Sequence, residues 1–456
     1  MSEHRSVPRT RETVEACGPA EPIDAVVIGG GQAGLAASRH LARRGIEHVV
    51  LERRRIGETW RTQRWDGFAL NTPGVMNRMP DDPPGGAPDA GPDDGFQLRD
   101  AWVARLEGYA ARHALPVREG VAVASVRSDG SRFTVSVRAA GEVGAGEERE
   151  EGAGQAPAAP WSTRGVIVAS GAQTVPLLPS FAADLPTGID RLSAATYRRA
   201  EALRPGAVLV VGSAQSGVQV AEDLLEHGRE VHLCTSAVPR VPRRYRGRDI
   251  FTWLDGAGWW RQTADRLPDP RMLTAKNPTI SGVGRLGHTV SLQGLAARGA
   301  RLLGRPRGIA GWRLLVDDTL GANIAFGDRT SAEVKANVDA AIRDRGLAVP
   351  PPEDDPADLP HPDPSSVRSP AELDLERAGI GTVIFATGFT ADLGYLPAEW
   401  LDDRGEPRHV RAEGAVPGLA CIGWRWMISR SSSLIHGTDE DGGLAADIVA
   451  RHLATG

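Results

Sequence analysis

Two glycine clusters, each set between an apolar run and a helix-like pattern, carry the clearest chemistry in this chain. The first, Gly29-Gly30-Gly31-Gln32-Ala33-Gly34, satisfies GxGxxG through Gly29, Gly31 and Gly34. In such a loop the first glycine permits a tight turn and the second lets a pyrophosphate approach the backbone. The third lets the following helix lie close to the strand. Unpaired N–H groups at the helix start, here around Gln32 and Ala33, then hold the negative charge. Glu52 ends the next apolar run, 21 residues beyond Gly31. A carboxylate there accepts a ribose hydroxyl and repels a 2′-phosphate, so this cradle suits FAD or NAD and not NADP.

The second cluster, Gly212-Ser213-Ala214-Gln215-Ser216-Gly217, repeats the pattern with Ala214 in place of the middle glycine. No acid follows its second strand. Thr235-Ser236 stand there, then Arg240, Arg243, Arg244, Arg246 and Arg248. Hydroxyls and guanidinium groups fit a 2′-phosphate. NADPH is therefore the expected second dinucleotide, held by Gly212, Ser213, Gln215, Ser216, Gly217, Thr235, Ser236, Arg240, Arg243 and Arg244. For any one of these arginines ordinary surface charge is the alternative. Lys276 and Lys335 are the only lysines, so the composition favours arginine everywhere. Two dinucleotide sites of opposite ribose preference imply that the nicotinamide supplies hydride and a flavin accepts it.

Each cradle needs a strand before it and a helix and a strand after it, and the hydrophobic pattern supplies all three twice. Ala25-Val26-Val27-Ile28 and His48-Val49-Val50-Leu51 read as buried strands. Between them Leu35, Ser38, Leu41 and Ala42 recur at helical spacing up to Gly45. The unit returns as a strand at Ala207–Val211, a helix carrying Val218, Ala221, Leu224 and Leu225, a stop at Gly228, and a strand at Val231–Cys234. Further strands are expected at residues 121–126, 133–137, 165–169, 382–385 and 419–422, with helices at 98–113 and 444–453. Residues 81–94 and 141–160 read as exposed loops, and 1–22 as a disordered tail. The expected fold is α/β: two doubly wound Rossmann-like dinucleotide-binding domains, the NADPH domain (181–374) inserted into the FAD domain (23–180 plus 375–456).

Length and composition narrow the function classes. At roughly 150 residues per domain, 456 residues allow two or three. A formal charge of −5 argues against nucleic acid as the partner. No apolar run approaches the roughly 20 residues that span a membrane, and the N-terminus lacks a signal-peptide segment, so no membrane partner and a cytoplasmic location are expected. Cys17, Cys234 and Cys421 form no CxxC, which excludes a disulfide framework, a zinc site and dithiol chemistry. His288 and His436 have no metal-ligand spacing, and no metal is expected. Trp259-Trp260 and Trp424-Arg425-Trp426 read as core or lid packing, and Asp439-Glu440-Asp441 as a solvated first helical turn.

Several segments together resemble the class B flavin-dependent monooxygenases and their bacterial two-dinucleotide-binding flavoprotein relatives. Ile56-Gly57-Glu58-Thr59-Trp60 is similar to the family's GGTW, and Leu70-Asn71-Thr72-Pro73 to its LNTP. Val168-Ala169-Ser170-Gly171 is similar to its first ATG stretch, and Phe385-Ala386-Thr387-Gly388-Phe389 to its second. Val241 to Asp249 is similar to a PRRYRGRD stretch of the bacterial relatives, and the likeness runs from Val26 to about Leu453. It implies FAD contacts through Thr59, Trp60, Asn71, Thr72, Val123, Ala169, Gly171, Thr387, Gly388 and Gly423. It implies an NADPH- and O2-dependent monooxygenase that oxygenates an amine nitrogen or sulfur of a small molecule through a flavin peroxide, as a possible homo-oligomer. Asn71, the catalytic candidate, has two readings: a hydrogen-bond donor to the reacting oxygen, or an Asx turn bonding backbone near Pro73.

The chain departs from the family at Glu58, which stands for the second glycine of GGTW and adds a carboxylate near the expected flavin, and in the class B fingerprint. Aligning the class B fingerprint FxGxxxHxxxF/Y on Tyr197 puts Thr187, Ile189 and Ser193 at the phenylalanine, glycine and histidine positions. That disfavours a Baeyer–Villiger oxygenase. It keeps open a flavin reductase or oxidase without oxygen insertion, and a non-catalytic redox-sensing flavoprotein.

Overall fold

The structure is a computed structural model that describes residues 21–83, 95–139, 159–284 and 286–455. Cys17, nearly all of the expected tail and most of the two expected loops lie outside the described residues.

Both glycine clusters sit where strand, turn and helix meet. Strand β1 (Ile23–Ile28) leads into helix α1 (Gln32–Arg43) and strand β2 (His48–Glu52). A short helix α2 (Glu58–Thr62), a longer helix α3 (Arg99–Arg112) and strand β3 (Val117–Glu119) follow. Strand β4 (Trp161–Val168) pairs with β1 on its other side. With strand β10 (Leu419–Cys421) these make a parallel core in the order β3-β2-β1-β4-β10. An antiparallel hairpin, Val121–Ser128 with Phe133–Ala139, pairs with the start of β4. The last helix, α6 (Thr438–Ala454), packs against α1.

The second unit copies this plan. Strand β5 (Asp190–Ser193) is an edge, and β6 (Ala207–Val211), helix α4 (Gln215–Glu226) and β7 (Val231–Cys234) repeat the cradle. With β8 (Arg301–Leu303) and β9 (Ile380–Phe385) the parallel order is β8-β7-β6-β9-β5. A long helix α5 (Leu320–Asp344) crosses this unit. The central strands are buried on both faces, as parallel strands covered by helices must be: all five residues of β6 are buried.

This corrects the expected domain boundary. Ile380–Phe385 pairs with β6 and β5, so it is a strand of the second sheet, and a return to the first domain at residue 375 comes too early. The crossing back is a two-stranded ribbon in which Phe389–Thr390 pairs with Val175–Pro176. Trp260 stacks on Phe251 at 5.0 Å and Trp424 is buried in the first core, while Trp259 and Trp426 flank the Arg430 guanidinium. Tyr197, the one fingerprint residue present, is fully buried and its hydroxyl donates to Asp223 at 2.5 Å.

The third glycine of each cradle is fixed by sterics. A Cβ on Gly34 would lie 1.9 Å from the Gly29 carbonyl oxygen, and one on Gly217 equally close to that of Gly212. A Cβ on Gly31, whose φ is −84°, would meet no atom within 4 Å. Gly34→Ala must therefore push helix from strand, a strain of about 1–3 kcal/mol, while Gly31→Ala should leave stability nearly unchanged. Denaturant midpoints of the two FAD-free variants, compared with the parent, check this.

Candidate active site

Both cradles open on one cavity. It occupies about 1930 Å³, roughly twice the upper range of a pocket for one drug-sized ligand. It lies beyond the C-terminal ends of β1 and β6, where strand order reverses in each sheet: β1 has β2 and β4 as neighbours, β6 has β7 and β9. Such switch points are where open α/β sheets bind ligands.

From the first unit Gly29, Gly31, Gln32, Ala33, Glu52, Thr59, Trp60, Asn71, Thr72, Val123, Ala169, Gly171 and Gly423 line the cavity. From the second unit come Gly212, Ser213, Gln215, Ser216, Thr235, Ser236, Thr387 and Gly388. Gly34 and Gly217 do not line it; they set helix against strand. The geometry fits a dinucleotide at the first cradle. The space in front of Gly31 is open to the cavity and the first turn of α1 carries no acidic residue. Glu52 accepts the N–H of Gly30 at 2.6 Å and of Arg54 at 2.8 Å, one on each carboxylate oxygen. Each oxygen keeps a lone pair for a ribose hydroxyl. Burial raises the Glu52 pKa, and these two N–H bonds act against it. The second cradle matches: the first turn of α4 has no acid, and Ser213 and Ser216 face the same cavity.

The expected arginines are a different matter. Arg240 is buried and held by Asp328 at 2.7 Å and Asp358 at 2.5 Å. Arg243 is buried, pairs with Asp249 at 2.5 Å and lies against Phe96 with its guanidinium 4.1 Å from the ring centroid. Neither reaches the cavity, and neither does Arg244, which donates to the Leu286 carbonyl at 3.3 Å. These three are structural cations, already occupied. The Thr235 hydroxyl lines the cavity yet donates to Leu303 at 2.7 Å. The cations that do face the cavity beside Ser236 are Lys276 and Arg305, which sequence reasoning missed. Lys276 donates to the Ser236 hydroxyl at 3.2 Å, and neither cation has a salt-bridge partner among the described residues. Burial lowers the Lys276 pKa, and the nearby Arg305 lowers it further. The available signal was a lysine kept in a chain that otherwise uses arginine.

Asn71 is clamped from the second unit. Gln219 on α4 donates through Nε2 to Asn71 Oδ1 at 3.1 Å and to the Gly282 carbonyl at 3.1 Å. Arg243 donates through Nη1 to the Asn71 carbonyl at 2.8 Å. With Oδ1 occupied, the amide presents Nδ2, which has no acceptor among the described residues. The Asx-turn reading is not what the structure shows. The turn is tied by Asn77, which is fully buried and bonds both the Thr72 hydroxyl and, at 3.2 Å, the Thr72 carbonyl.

The acidic triplet also departs from expectation. Asp439 bonds His40 at 2.8 Å and Glu440 is exposed, but Asp441 is buried at the cavity wall and accepts from Ser432 at 2.9 Å. Burial pushes its pKa up to about 7, against the Ser432 hydrogen bond. Cys234 and Cys421 are buried in strands of different sheets, and burial pushes each thiol up to about 12. No cluster of metal ligands occurs among the described residues, and none of their helices is long and apolar enough to cross a membrane.

Comparison with known proteins gives this geometry a family. A sequence model described as pyridine nucleotide-disulphide oxidoreductase matches residues 23–250, half of the chain. An uncharacterized CzcO-like oxidoreductase of Geobacillus kaustophilus is 25% identical over 433 residues, 94% of this chain and 99% of that protein. The indole-3-pyruvate monooxygenase YUCCA1 of Oryza sativa is 30% identical over 265 residues, 58% of this chain and 60% of its own length. Among solved structures, a flavin-containing monooxygenase from Stenotrophomonas maltophilia superposes with a TM-score of 0.60 at 20% identity, over 95% of this chain and 99% of its own.

Asp441 predicts a pH dependence. Its folded pKa lies above the ordinary carboxylate range, so between about pH 4 and 7 the unfolded chain loses this proton and the folded chain keeps it. Stability contributed at this site falls as pH rises through that window. Asp441→Asn removes the effect while keeping an acceptor for Ser432. Its melting temperature, as FAD-free protein, should match the parent near pH 4 and exceed it from pH 7 upward, by the equivalent of a few kcal/mol. A difference independent of pH would contradict the assignment.

Proposed function

The chain belongs to the pyridine nucleotide-disulphide oxidoreductase family, and from this premise we propose that it is an NADPH- and O2-dependent flavoprotein monooxygenase acting on a soft nucleophile, an amine nitrogen or a sulfur, of a small molecule. The observation that carries the reading is the single cavity onto which both cradles open, with Asn71 held between them. The dithiol version of the chemistry in the family's name has no counterpart in the sequence, whose cysteines form no CxxC, and the two described thiols are buried in different sheets. The net reaction is substrate + NADPH + H⁺ + O2 giving oxygenated substrate + NADP⁺ + H2O. One oxygen atom goes to the substrate, and the other leaves as water with the two electrons of the nicotinamide.

The residues divide the work. The N-terminus of α1 with Gly31 receives the FAD pyrophosphate, and Glu52 the adjoining ribose hydroxyls. The N-terminus of α4, with Ser213 and Ser216, receives the NADPH pyrophosphate. Ser236, Lys276 and Arg305 receive its 2′-phosphate, in place of the arginines expected from sequence. FAD when bound supplies a two-electron carrier that reacts with O2. Asn71 Nδ2 donates a hydrogen bond to the oxygen being transferred, and a neutral amide does so without giving up a proton. Buried Trp424, Ile435 and Leu70 line the same space and exclude water from it. Ser193 in the fingerprint histidine position favours one second reading, an NADPH oxidase that returns only hydrogen peroxide. Mass gain of one oxygen atom per NADPH consumed, against stoichiometric hydrogen peroxide, separates the two.

Two outcomes follow for variants. Lys276→Ala should weaken NADPH about tenfold or more, since a charge-assisted hydrogen bond is worth roughly 1.5–3 kcal/mol, and leave NADH little changed. Arg240→Ala should instead cost about 3–5 kcal/mol of stability by leaving Asp328 and Asp358 uncompensated, with the NADPH/NADH ratio unmoved. Steady-state kinetics with both nucleotides and a denaturant melt read this out. Asn71→Ala should keep FAD and normal reduction by NADPH while diverting electrons to hydrogen peroxide. Loss of one donor of this kind costs on the order of 10²–10³ in the transfer step. Unchanged coupling of NADPH to product would remove Asn71 from the chemistry.

A further inference from the structure

Another cation of the cavity wall is placed among aromatic rings, one of which is bonded to the first cradle. Arg64 follows α2, in the stretch between Trp60 and Leu70, and lines the cavity. Its guanidinium carbon lies 5.3 Å from the centroid of Trp60, 5.6 Å from Phe68 and 5.9 Å from Phe389. All three rings also line the cavity. Among the described residues the only hydrogen bond from this side chain goes from Nη1 to the Gln63 carbonyl at 2.7 Å. No carboxylate lies within ion-pair distance among the described residues, and burial alone pulls the guanidinium down to about 10. The backbone is nonetheless pinned: the Arg64 carbonyl accepts from Arg99 at 2.9 Å and from Arg198 at 3.0 Å.

This differs from the fully buried arginines, Arg105, Arg240 and Arg243. Arg430, stacked on Trp259 and Trp426, also lacks a carboxylate among the described residues but lies outside the cavity wall. Arg105 pairs with Asp82 at 2.5 Å, Arg240 with Asp328 and Asp358, and Arg243 with Asp249. A charge taken out of water is stable only when an opposite charge or enough hydrogen bonds replace the water. Ring faces offset part of that loss, and they leave the planar N–H fork unfilled. The partner that fills such a fork is a planar oxyanion, bound by two parallel hydrogen bonds. The rings set its neighbour. Trp60 is joined to Gln32 of the first cradle at 3.0 Å, and Phe68 stands two residues before Leu70-Asn71. The ring cage around the cation therefore borders the cradle assigned to FAD and shares one cavity with Asn71.

We propose that Arg64 with Trp60, Phe68 and Phe389 is the substrate anchor, and that the substrate carries a carboxylate next to a flat apolar group. The word substrate rests on the oxygenase reading above; the anion site does not. A cofactor phosphate offers the same charge, but each cradle already has its own helix N-terminus, and Ser236, Lys276 and Arg305 stand at the ribose-phosphate position.

The test is equilibrium binding to FAD-loaded protein, read by tryptophan fluorescence and the flavin absorption band. The probes are benzoate, phenylacetate and phenylpyruvate, each against its uncharged amide. At least one acid should bind tenfold or more tightly than its amide. Arg64→Met should erase that difference and leave FAD content and NADPH affinity within about twofold of the parent. Arg64→Lys, which keeps the charge but not the fork, should fall between. Equal binding of every acid and amide to the parent overturns the proposal without any variant being made. So does an Arg64→Met protein that loses NADPH or FAD affinity tenfold and keeps its acid preference, since the guanidinium would then serve a cofactor phosphate. Because binding is read without turnover, a preference for acids in a protein that yields only hydrogen peroxide would sink the oxygenase reading and leave the anchor standing.

Discussion

The close seating of a helix on a glycine carbonyl governs the rest of this molecule. In each unit the third motif glycine lies so near the first that a methyl group would sit 1.9 Å from its carbonyl oxygen. The first glycine is itself pressed against the neighbouring strand. Gly29 and Gly212 both take φ of +110°, and a Cβ on either would lie 2.5 Å from the carbonyl of Ala169 or Ala386. Those two alanines are the small residues of the stretches ending β4 and β9. A larger side chain there would meet the third glycine, since a Cβ on Gly34 or Gly217 already approaches the Ala169 or Ala386 methyl at 3.5 and 3.3 Å. Strand, turn, helix and crossing strand thus form one packed unit, and its product is a helix N-terminus aimed at open space.

The two units are joined through the loop that carries Asn71. Its carbonyl and its side chain are both held by residues of the second unit, Arg243 and Gln219. Arg243 can do this because Asp249 neutralises it and Phe96 and Phe251 flank its guanidinium. Removing one partner from such a buried pair costs several kcal/mol, so this contact sets the orientation of the loop more than it adds to net stability. The arrangement places the amide's donor end toward the cavity under the control of the nicotinamide-side unit. Any shift of that unit against the first moves Asn71 with it.

Legibility from sequence followed the range of the interactions. Both cradles could be read because every part of a cradle lies within about 25 residues of chain and each glycine has a local steric reason. Ile380–Phe385 was recognisable as a strand but not as a member of the second sheet, because an all-apolar parallel strand says nothing about its neighbours. The arginines after β7 failed for another reason. In a chain with so little lysine, arginine marks neither surface nor site, and only the placement of Asp249, Asp328 and Asp358 shows which arginines are already paired. Asn71 and Asn77 exchange roles through contacts between distant segments. Asp441 looked solvated within an acidic triplet, yet the helix turns its third member into the wall while the first faces outward.

Charge balance in the cavity connects these features. The described cavity wall carries Arg64, Lys276 and Arg305 with no carboxylate partners, and it carries in Asp441 a carboxyl whose ionisation burial opposes. A protein optimised for the empty state would pair those cations or replace them with apolar residues, because uncompensated charge at a partly dry wall lowers stability. Their retention is the expected signature of a site tuned to bound anions. Phosphates and a carboxylate that enter supply the missing opposite charge, and by mass action anything that binds only the folded state stabilises it. The same excess of positive potential favours ionised Asp441, against its burial, only until those anions arrive. Once they neutralise the wall, the balance at Asp441 shifts further toward its protonated form, which keeps a neutral donor beside the cavity at physiological pH. Binding strength and the protonation of the wall are in this way one electrostatic quantity, set by which cations the fold leaves without partners.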